Sequence, residues 1–227
     1  MNYQLNISID NQGLQNIYAA GQRVTIVKSV TTNPLAGGNL PVAWVTFMPL
    51  NNNNISWIET YSIYASAVSI VAGATLSQNS STQPGIQPGW TYTLQNGFFS
   101  GAAGSGSTFN AANQWQGGPI TTFGLAQPAT VNNVNVLAPL NATTVLYNQT
   151  ASFTPIENVS IFLSSYSNNG VVISQVASNA LPVSLSSQAP VANIGFNDAT
   201  NTFYLIGMSQ TALTAAEFAN VELAPRR

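Results

Sequence analysis

The chain begins with Met1-Asn2-Tyr3-Gln4-Leu5-Asn6-Ile7-Ser8-Ile9-Asp10, a run in which polar and apolar side chains alternate. Its large apolar residues fall on one face of an extended chain, and its Asn, Gln and Ser residues fall on the other. Such alternation is typical of a β-strand with one buried face. The run therefore predicts a fold built from β-strands.

Further strands are predicted wherever the alternation recurs. Two clear sets are Val24, Ile26 and Val30, and then Ile55, Trp57, Tyr61 and Ile63 after the turn-forming residues 51–54. The other candidate strands are 41–48, 67–72, 90–99, 128–137, 143–153, 158–164, 170–176, 190–195 and 201–206. Many short strands with Gly, Pro and Asn between them favour an all-β fold, an antiparallel β-sandwich of the jelly-roll or Greek-key type.

Two segments are expected to differ from this pattern. Residues 97–118 contain six glycines among small polar residues, which predicts a long glycine-rich loop. Residues 210–220 carry the only helical spacing of apolar residues, so at most a short C-terminal helix is expected. Neither the segment before this loop nor the segment after it looks able to fold as a domain by itself, and a length of 227 residues suits one large β domain. Residues 1–227 are therefore predicted to form a single domain.

The composition argues against catalysis. The chain contains no His and no Cys, and so lacks the commonest general bases, nucleophiles and transition-metal ligands. We expect a protein that is not an enzyme and that has no cofactor and no metal site. Charged residues make up 4% of the chain, whereas soluble domains typically carry about 25%. Asn, Gln, Ser and Thr must therefore cover the surface.

The small number of charges also limits the partners. The four basic residues cannot neutralise a run of phosphates, so no nucleic-acid partner is expected; they are Arg23, Lys28, Arg226 and Arg227. A nearly uncharged surface lacks the repulsion that keeps proteins apart, which favours a homo-oligomer or polymer. With so few titratable groups, we also expect the protein to tolerate acid.

No targeting or membrane segment is expected. The first residues have neither a basic region nor a continuous apolar run, so no secretory signal is visible. No stretch approaches the ~20 apolar residues of a transmembrane helix. The localisation stays open between a cytoplasmic protein and one exported by a non-classical route.

Carboxylates offer two sites to consider. Glu59 and Glu157 are the only acidic pair inside strand-like segments, where they could act as glycosidase carboxylates, as solvated residues, or as partners of Arg23 and Lys28. The spacing does not favour catalysis. The turns at Asp10 and Asp198 could supply oxygen ligands for calcium, but their Asn, Asp and Gly residues are equally typical of ordinary turns.

Several short runs resemble the bacterial RhiA-like family, named for a rhizosphere-expressed protein. The first group is Pro41-Val42-Ala43-Trp44-Val45-Thr46-Phe47, Ile55-Ser56-Trp57, Tyr61-Ser62, Gly73 and Gln78. The second group is Phe153-Thr154-Pro155, Ile161, Gly170-Val171-Val172, Ser178-Asn179, Pro182 and Asn201-Thr202-Phe203. The resemblance covers roughly 40–95 and 145–205, and it implies a soluble β-rich protein without an assigned catalytic site. The low charge departs from what the resemblance implies.

Carbohydrate binding is the second functional hypothesis. Sugar sites combine an aromatic surface with neutral hydrogen-bonding side chains. Trp44 and Trp57 lie in strand patterns and are expected in the core. Trp90 follows Pro88-Gly89, and Trp115 lies in the glycine-rich stretch, so these two are the candidate ligand contacts. The neighbouring candidates are Asn113, Gln114 and Gln116.

Self-association is the leading hypothesis. Strands without charged residues do little to block pairing between exposed edges. Strands 1–9 and 128–137 contain no Lys or Arg. Either the fold covers such edges, or the protein associates into a filament, crystal or coat. We therefore expect a structural protein whose uncharged surface mediates assembly.

Overall fold

The computed structural model describes residues 1–34 and 40–207. Within these residues the chain forms one helix, α1 (Asn11–Ala19), and eighteen strands. The strands are β1 (Asn2–Ser8), β2 (Arg23–Asn33), β3 (Val42–Ala43), β4 (Val45–Phe47), β5 (Asn52–Ile58), β6 (Ser62–Ser66), β7 (Ser80–Ser81), β8 (Thr91–Gln95), β9 (Phe98–Ala102), β10 (Phe109–Asn113), β11 (Thr122–Val131), β12 (Val134–Pro139), β13 (Thr143–Thr144), β14 (Gln149–Ser164), β15 (Val171–Val172), β16 (Leu181–Ser184), β17 (Val191–Asn197) and β18 (Thr202–Leu205). The prediction of a β-rich fold is confirmed.

Most of the strands belong to two large sheets. The first sheet has the order β18-β17-β1-β5-β11-β6-β7, with β12 and β13 also paired to β11. The second has the order β4-β2-β14-β10-β8-β9, with β16 also paired to β14, and β3 pairs separately with β15. Pairing is antiparallel except between β1 and β17 and between β8 and β10. The prediction of mainly antiparallel sheets is therefore confirmed.

One hydrophobic core is shared by the two sheets. It contains Leu5 and Ile55 from the first sheet together with Ile26 and Phe153 from the second, and all four are fully buried. These side chains come from the inward-facing positions of their strands, because successive residues of a strand point to opposite faces. Burying each such side chain contributes about 1.5–3 kcal/mol. The alternation of polar and apolar residues thus determines which face of each strand packs inward.

An insertion interrupts the pairing between β11 and the consecutive strands β5 and β6. Ser56 lies opposite Thr130 and Ser62 lies opposite Ala126. Between these two pairs the chain advances six residues from β5 to β6 but only four residues along β11. The β5–β6 side therefore contains two extra residues. Segment 59–61 lies within this irregular part and leaves the ladder of the first sheet.

A matching irregularity occurs in the second sheet between β14 and β2. Pro155 lies opposite Val30 and Val159 lies opposite Lys28, with a register shift between them. Four steps along β14 face two along β2, so β14 bulges at Glu157. Bulges re-aim side chains and are frequent beside functional sites. This one directs the Glu157 side chain toward the first sheet.

The predicted long loop at 97–118 is wrong for much of its length, because this stretch contains β9 and β10. Its glycines allow close packing: a Cβ atom on Gly101 would lie 2.9 Å from the ring of Tyr92, and one on Gly104 would lie 2.4 Å from the carbonyl oxygen of Gly89. The sequence pattern did not distinguish glycine required by packing from glycine typical of loops.

Other predicted elements also need correction. Residues 67–72 form no strand, and the predicted strand 128–137 is in fact a hairpin that turns at Asn132 and Asn133. The helix α1 was missed; its N-cap is Asp10, whose carboxylate accepts a hydrogen bond from the Gly13 amide at 2.7 Å. The predicted helix 210–220 lies outside the described residues. Within the described part, no helix has the length and hydropathy to cross a membrane.

Candidate functional site

A lysine lies fully buried between the two sheets. Lys28 takes an inward-facing position of β2, in line with Val24 and Ile26, and its side chain has no exposed surface. Its Nζ atom donates to Oε1 and Oε2 of Glu157 at 2.7 and 2.8 Å and to Oε1 of Gln127 at 2.8 Å. An ammonium group has three donors. All three therefore have partners.

The carboxylate of Glu157 is equally well paired. Beyond Lys28, Oε2 accepts from Nε1 of Trp57 at 2.8 Å, and Oε1 accepts from the hydroxyl of Tyr61 at 2.9 Å. Each oxygen thus accepts two hydrogen bonds, which uses its two lone pairs. Trp57 and Tyr61 belong to the first sheet and its insertion, whereas Lys28 and Glu157 belong to the second. The network therefore ties the two sheets together.

Aromatic rings surround the buried ammonium group. Nζ of Lys28 lies 5.6 Å from the ring centre of Trp44, 5.5 Å from that of Trp57 and 5.4 Å from that of Tyr61. The negative faces of aromatic rings attract a cation at such distances. Trp44 and Trp57 pack edge to face at 5.2 Å. The prediction that these two tryptophans lie in the core is confirmed.

Burial shifts the ionisation of these groups. Removal from water lowers the pKa of Lys28 to about 8, although the nearby Glu157 carboxylate opposes this shift. Burial first, and Glu157 second, raise the pKa of Tyr61. A hydrogen bond of 2.5 Å to Glu59 raises the pKa of Tyr3 to about 12. The desolvation of Lys28 thus outweighs its attraction to Glu157.

Glu157 is reached from solvent through a pocket of about 680 Å³ that also contains Glu59. The two acidic residues singled out in the sequence therefore share one pocket. Their partners differ, because Glu157 pairs with Lys28 while Glu59 accepts from Tyr3. A general acid or base needs a lone pair or proton free for substrate. Since every lone pair of Glu157 has a partner, we assign this residue a structural role.

The two candidate ligand-binding tryptophans are half-buried and lie against the main core. Trp90 stacks on Tyr92 with ring centres 6.2 Å apart. Trp115 is covered on one side by Gly118, where an added Cβ atom would lie 2.4 Å from the ring. Each indole therefore has part of its surface committed to packing and part open to solvent.

The three polar candidates next to Trp115 take different positions. Asn113 is buried, and its side-chain amide donates to the backbone carbonyl oxygens of Ile120 and Val145 at 3.2 and 2.8 Å. These hydrogen bonds link β10 to the segments before β11 and after β13. Gln114 and Gln116 are exposed. The structure thus places Asn113 in a structural role and leaves the two glutamines at the surface beside Trp115.

The two turns considered for calcium have backbone roles. Asp10 caps α1, and the Asn197 side chain accepts from the amides of Ala199 and Thr200 at 3.0 and 3.3 Å. Within the described residues, no group of three or more Asp or Glu side chains comes together where a metal ion could be held.

One outer strand of the first sheet, β12, forms an uncharged edge. Among the described residues β12 pairs only with β11, and its sequence VNVLAP contains no charge. Val134 is 63% exposed and Leu137 is 43% exposed. By contrast β1, which also contains no Lys or Arg, lies between β17 and β5. The fold therefore covers β1 on both sides and leaves β12 at an edge.

Apolar depressions flank this edge on both sides. One, of about 570 Å³, is lined by Ile58, Pro84, Pro128 and Leu137 among others. The second, of about 340 Å³, lies between β12 and β4, which is itself an edge strand of the second sheet. Both sheets thus present an edge on the same side of the molecule.

No family model, curated protein or solved structure matches this chain. The sequence analysis did not single out Gln127, and it considered Lys28 only as a partner of the acidic pair and not as a core residue. Both fall at inward-facing positions of apolar alternating sets, so a polar residue in such a set was the available signal.

Proposed function

We propose that the protein acts by self-association through the edge strand β12. The observation that carries this proposal is an outermost strand with no charge and with Val134 and Leu137 exposed. Natural β proteins usually protect such an edge with lysine, proline or an inward-pointing charge, whereas β12 has no charge and its single proline, Pro139, is the last residue of the strand. The proposed partner is a second copy of this chain.

The backbone of β12 supports this partner. Pro128 lies opposite Leu137 and Pro139 lies opposite Ala126. Because proline has no N–H, these pairs are the non-hydrogen-bonded pairs of the ladder. The N–H and C=O groups of Asn135 and Leu137 then point away from β11, and among them the Leu137 carbonyl oxygen accepts a long, exposed hydrogen bond from the Gln78 side chain at 3.5 Å. A second β12 strand running antiparallel can bond to them about a two-fold axis, which is the commonest symmetry of homo-oligomers.

The charge balance also favours association between copies. The chain carries four basic and six acidic residues and a formal charge of −2. Two copies therefore repel each other weakly, and the apolar depressions beside β12 offer surface that a second copy can bury. The edge and the low charge together account for a structural or assembly role better than for catalysis.

Several finer interpretations belong to this proposal. We interpret the two large sheets as the layers of one β-sandwich domain, since they share a core and the Lys28–Glu157 network joins them. Membership of the RhiA-like family, the absence of enzymatic activity and tolerance of acid remain predictions from the sequence. Each is compatible with a protein whose function depends on its surface.

Edge-specific lysine variants test the proposal. Leu137→Lys and Val134→Lys each place a charge on β12 and should shift the sedimentation profile to the monomer. Matched controls are Leu146→Lys, at a leucine that is 51% exposed, and Val71→Lys, at a valine that is 57% exposed, and both residues lie outside the strands. The controls should sediment as the wild-type protein does. Equal effects of the edge and control variants would overturn the proposal.

Carbohydrate binding at Trp115 is the second candidate function. The observation in its favour is the half-exposed indole between the exposed amides of Gln114 and Gln116. Trp115→Ala should abolish glycan binding and leave the sedimentation profile unchanged. A glycan array compares the wild-type protein with this variant. Glycan binding that Trp115→Ala retains, or that the wild-type protein lacks, argues against a sugar site at Trp115.

A further inference from the structure

The outer face of the first sheet carries a row of hydrogen-bonded amides. Asn6 in β1 lies opposite Asn193 of β17 on one side and Asn54 of β5 on the other. Its Nδ2 donates to Oδ1 of Asn193 at 2.9 Å, and its Oδ1 accepts from Asn54 at 3.0 Å and from Gln4 at 2.7 Å. These bonds fix the amide planes, while the outer amides keep further donors and acceptors for a ligand.

An aromatic ring borders this row. Tyr204 in β18 lies opposite Gly195 in β17, and a Cβ atom on Gly195 would lie 2.3 Å from Cζ of Tyr204. The ring therefore lies flat across the backbone of the glycine. Since Tyr204 is 39% exposed, its opposite face is open to solvent. Gly195 is what allows this orientation.

The ring and the amides form one continuous surface, here called the amide face. It consists of the outward-facing positions of four neighbouring strands, namely Tyr204, Asn193, Gln4, Asn6, Ser8, Asn52 and Asn54. Strands lie ~4.8 Å apart, so the four strands span ~14 Å. A depression of about 320 Å³ lies at the Tyr204 end, and another of about 350 Å³ lies at the Asn52 end.

We infer that the amide face binds a neutral oligosaccharide. The flat ring of Tyr204 offers an apolar surface to the C–H face of a pyranose, and the amides offer both donors and acceptors to hydroxyl groups. The four strands contain no charged residue, and the depression at the Tyr204 end is lined by the carboxylate of Asp198, so the site disfavours an anionic ligand. This site is distinct from Trp115 and does not depend on self-association.

The residue types of the amide face favour a binding role, because they contribute little to the stability of a strand. Asn is depleted in β-strands, yet three paired Asn residues occupy the middle of this sheet. The cross-strand bonds hold these amides in place before any ligand arrives, which reduces the entropic cost of binding. A flat, ordered polar face with an aromatic border therefore fits an extended sugar chain.

The test titrates the full chain with maltohexaose, cellohexaose, mannohexaose and chitohexaose by calorimetry, with a heparin hexasaccharide as the anionic comparison. We expect at least one neutral chain to bind and the heparin fragment not to bind. Amide NMR shifts caused by the bound sugar should fall on β1, β5, β17 and β18. Binding by none of the four at millimolar concentration would overturn the inference.

Variants locate the site. Tyr204→Ala should weaken binding by about tenfold, equivalent to about 1.4 kcal/mol, because the stacking surface is lost. Tyr204→Phe keeps the ring and should bind within about threefold of wild type. Gly195→Ala should weaken binding while retaining Tyr204, because the new methyl group displaces the ring.

The controls separate this site from the other proposals. Phe98→Ala removes an aromatic ring that is 80% exposed on the second sheet and should leave the affinity unchanged. Leu137→Lys should dissociate copies without changing sugar affinity. Loss of binding in Trp115→Ala but not in Tyr204→Ala would place the sugar at Trp115 and overturn the inference.

Discussion

Lys28 and Glu157 lie on neighbouring strands of the second sheet, and Nζ of Lys28 is 2.7 Å from Oε1 of Glu157. Both side chains point into the core, where Gln127 and Trp57 of the first sheet and Tyr61 of its insertion complete their hydrogen bonds. The free energy lost when two charges leave water can exceed the free energy gained from their attraction, unless hydrogen bonds satisfy every remaining donor and acceptor. Here they are satisfied, which makes the pair a junction between the sheets.

Removal of one partner should be strongly destabilising. Lys28→Met leaves the Glu157 carboxylate without its counter-ion and should lower the free energy of unfolding by about 3–5 kcal/mol. Urea denaturation followed by tryptophan fluorescence measures this change. The double variant Lys28→Met/Glu157→Gln should lose less than the two single losses added together, because no unpaired charge remains. Simple additivity would argue against a coupled pair.

The stability should depend on pH in the alkaline range. Below pH 8 Lys28 is protonated in both states and adds no slope. Between pH 8 and its ordinary pKa of 10.5, the unfolded chain holds a proton that the folded protein has released, so the free energy of unfolding rises with pH. The gain between pH 8 and 10 should be on the order of 2 kcal/mol. Lys28→Met should abolish it.

Tyrosine ionisation should reverse this trend at higher pH. The pKa of Tyr3 is raised to about 12 and that of Tyr61 is also raised, so the folded protein keeps protons that the unfolded chain loses above pH 10. The free energy of unfolding should therefore fall above about pH 10. Urea midpoints measured from pH 7 to 12 should show a maximum. A steady decline from pH 8 would contradict the lowered pKa of Lys28, and a rise that continues to pH 12 would contradict the raised pKa values of the tyrosines.

Loss of one donor to Glu157 should have a smaller effect than loss of Lys28. Tyr61→Phe removes the hydroxyl that donates to Oε1 and should cost about 1.5–3 kcal/mol, the range for hydrogen bonds to charged groups. Tyr18→Phe is the control, because the Tyr18 hydroxyl donates to the uncharged carbonyl oxygen of Pro49 near the surface. A larger loss in the control would show that charge at Glu157 is not the cause.

The hairpin that presents β12 should depend on its turn. Asn133 has a φ of 68°, in the left-handed region that Asn and Gly tolerate. Asn133→Val should cost about 1–2 kcal/mol, because β-branched residues are strained there. Asn133→Gly should leave the stability at or above that of wild type. Circular dichroism during heating measures both, and equal melting temperatures would contradict the turn geometry.

The sequence predicted the strands whose inward positions are apolar, such as β1, and the core positions of Trp44 and Trp57. It did not predict how glycine is used. Asn96-Gly97 is a two-residue turn with both φ values positive, 51° and 87°, and it joins β8 to β9. Asn-Gly between alternating runs is the strongest local sign of a hairpin. Glycine content nevertheless favoured a loop, because composition does not show which strands approach closely.

The network at Lys28 was predictable in part. Lys28, Gln127 and Glu157 each interrupt an alternating apolar set, so each should have been expected to need a buried partner. Which of these residues meet depends on how the two sheets pack face to face, on the insertion between β5 and β6 and on the bulge in β14. None of these features can be read from a short stretch of sequence. The same limit applies to β12, since a strand becomes an edge only through the order of the whole sheet.

Sedimentation velocity of the wild-type protein, over a wide range of concentration and from acid to neutral pH, tests self-association most directly. Negative-stain images of the same samples show the form of any assembly. We predict ordered polymers or closed oligomers that persist across this pH range, because few surface groups titrate. A clean monomer at high concentration throughout would contradict the proposal that β12 joins copies of this chain.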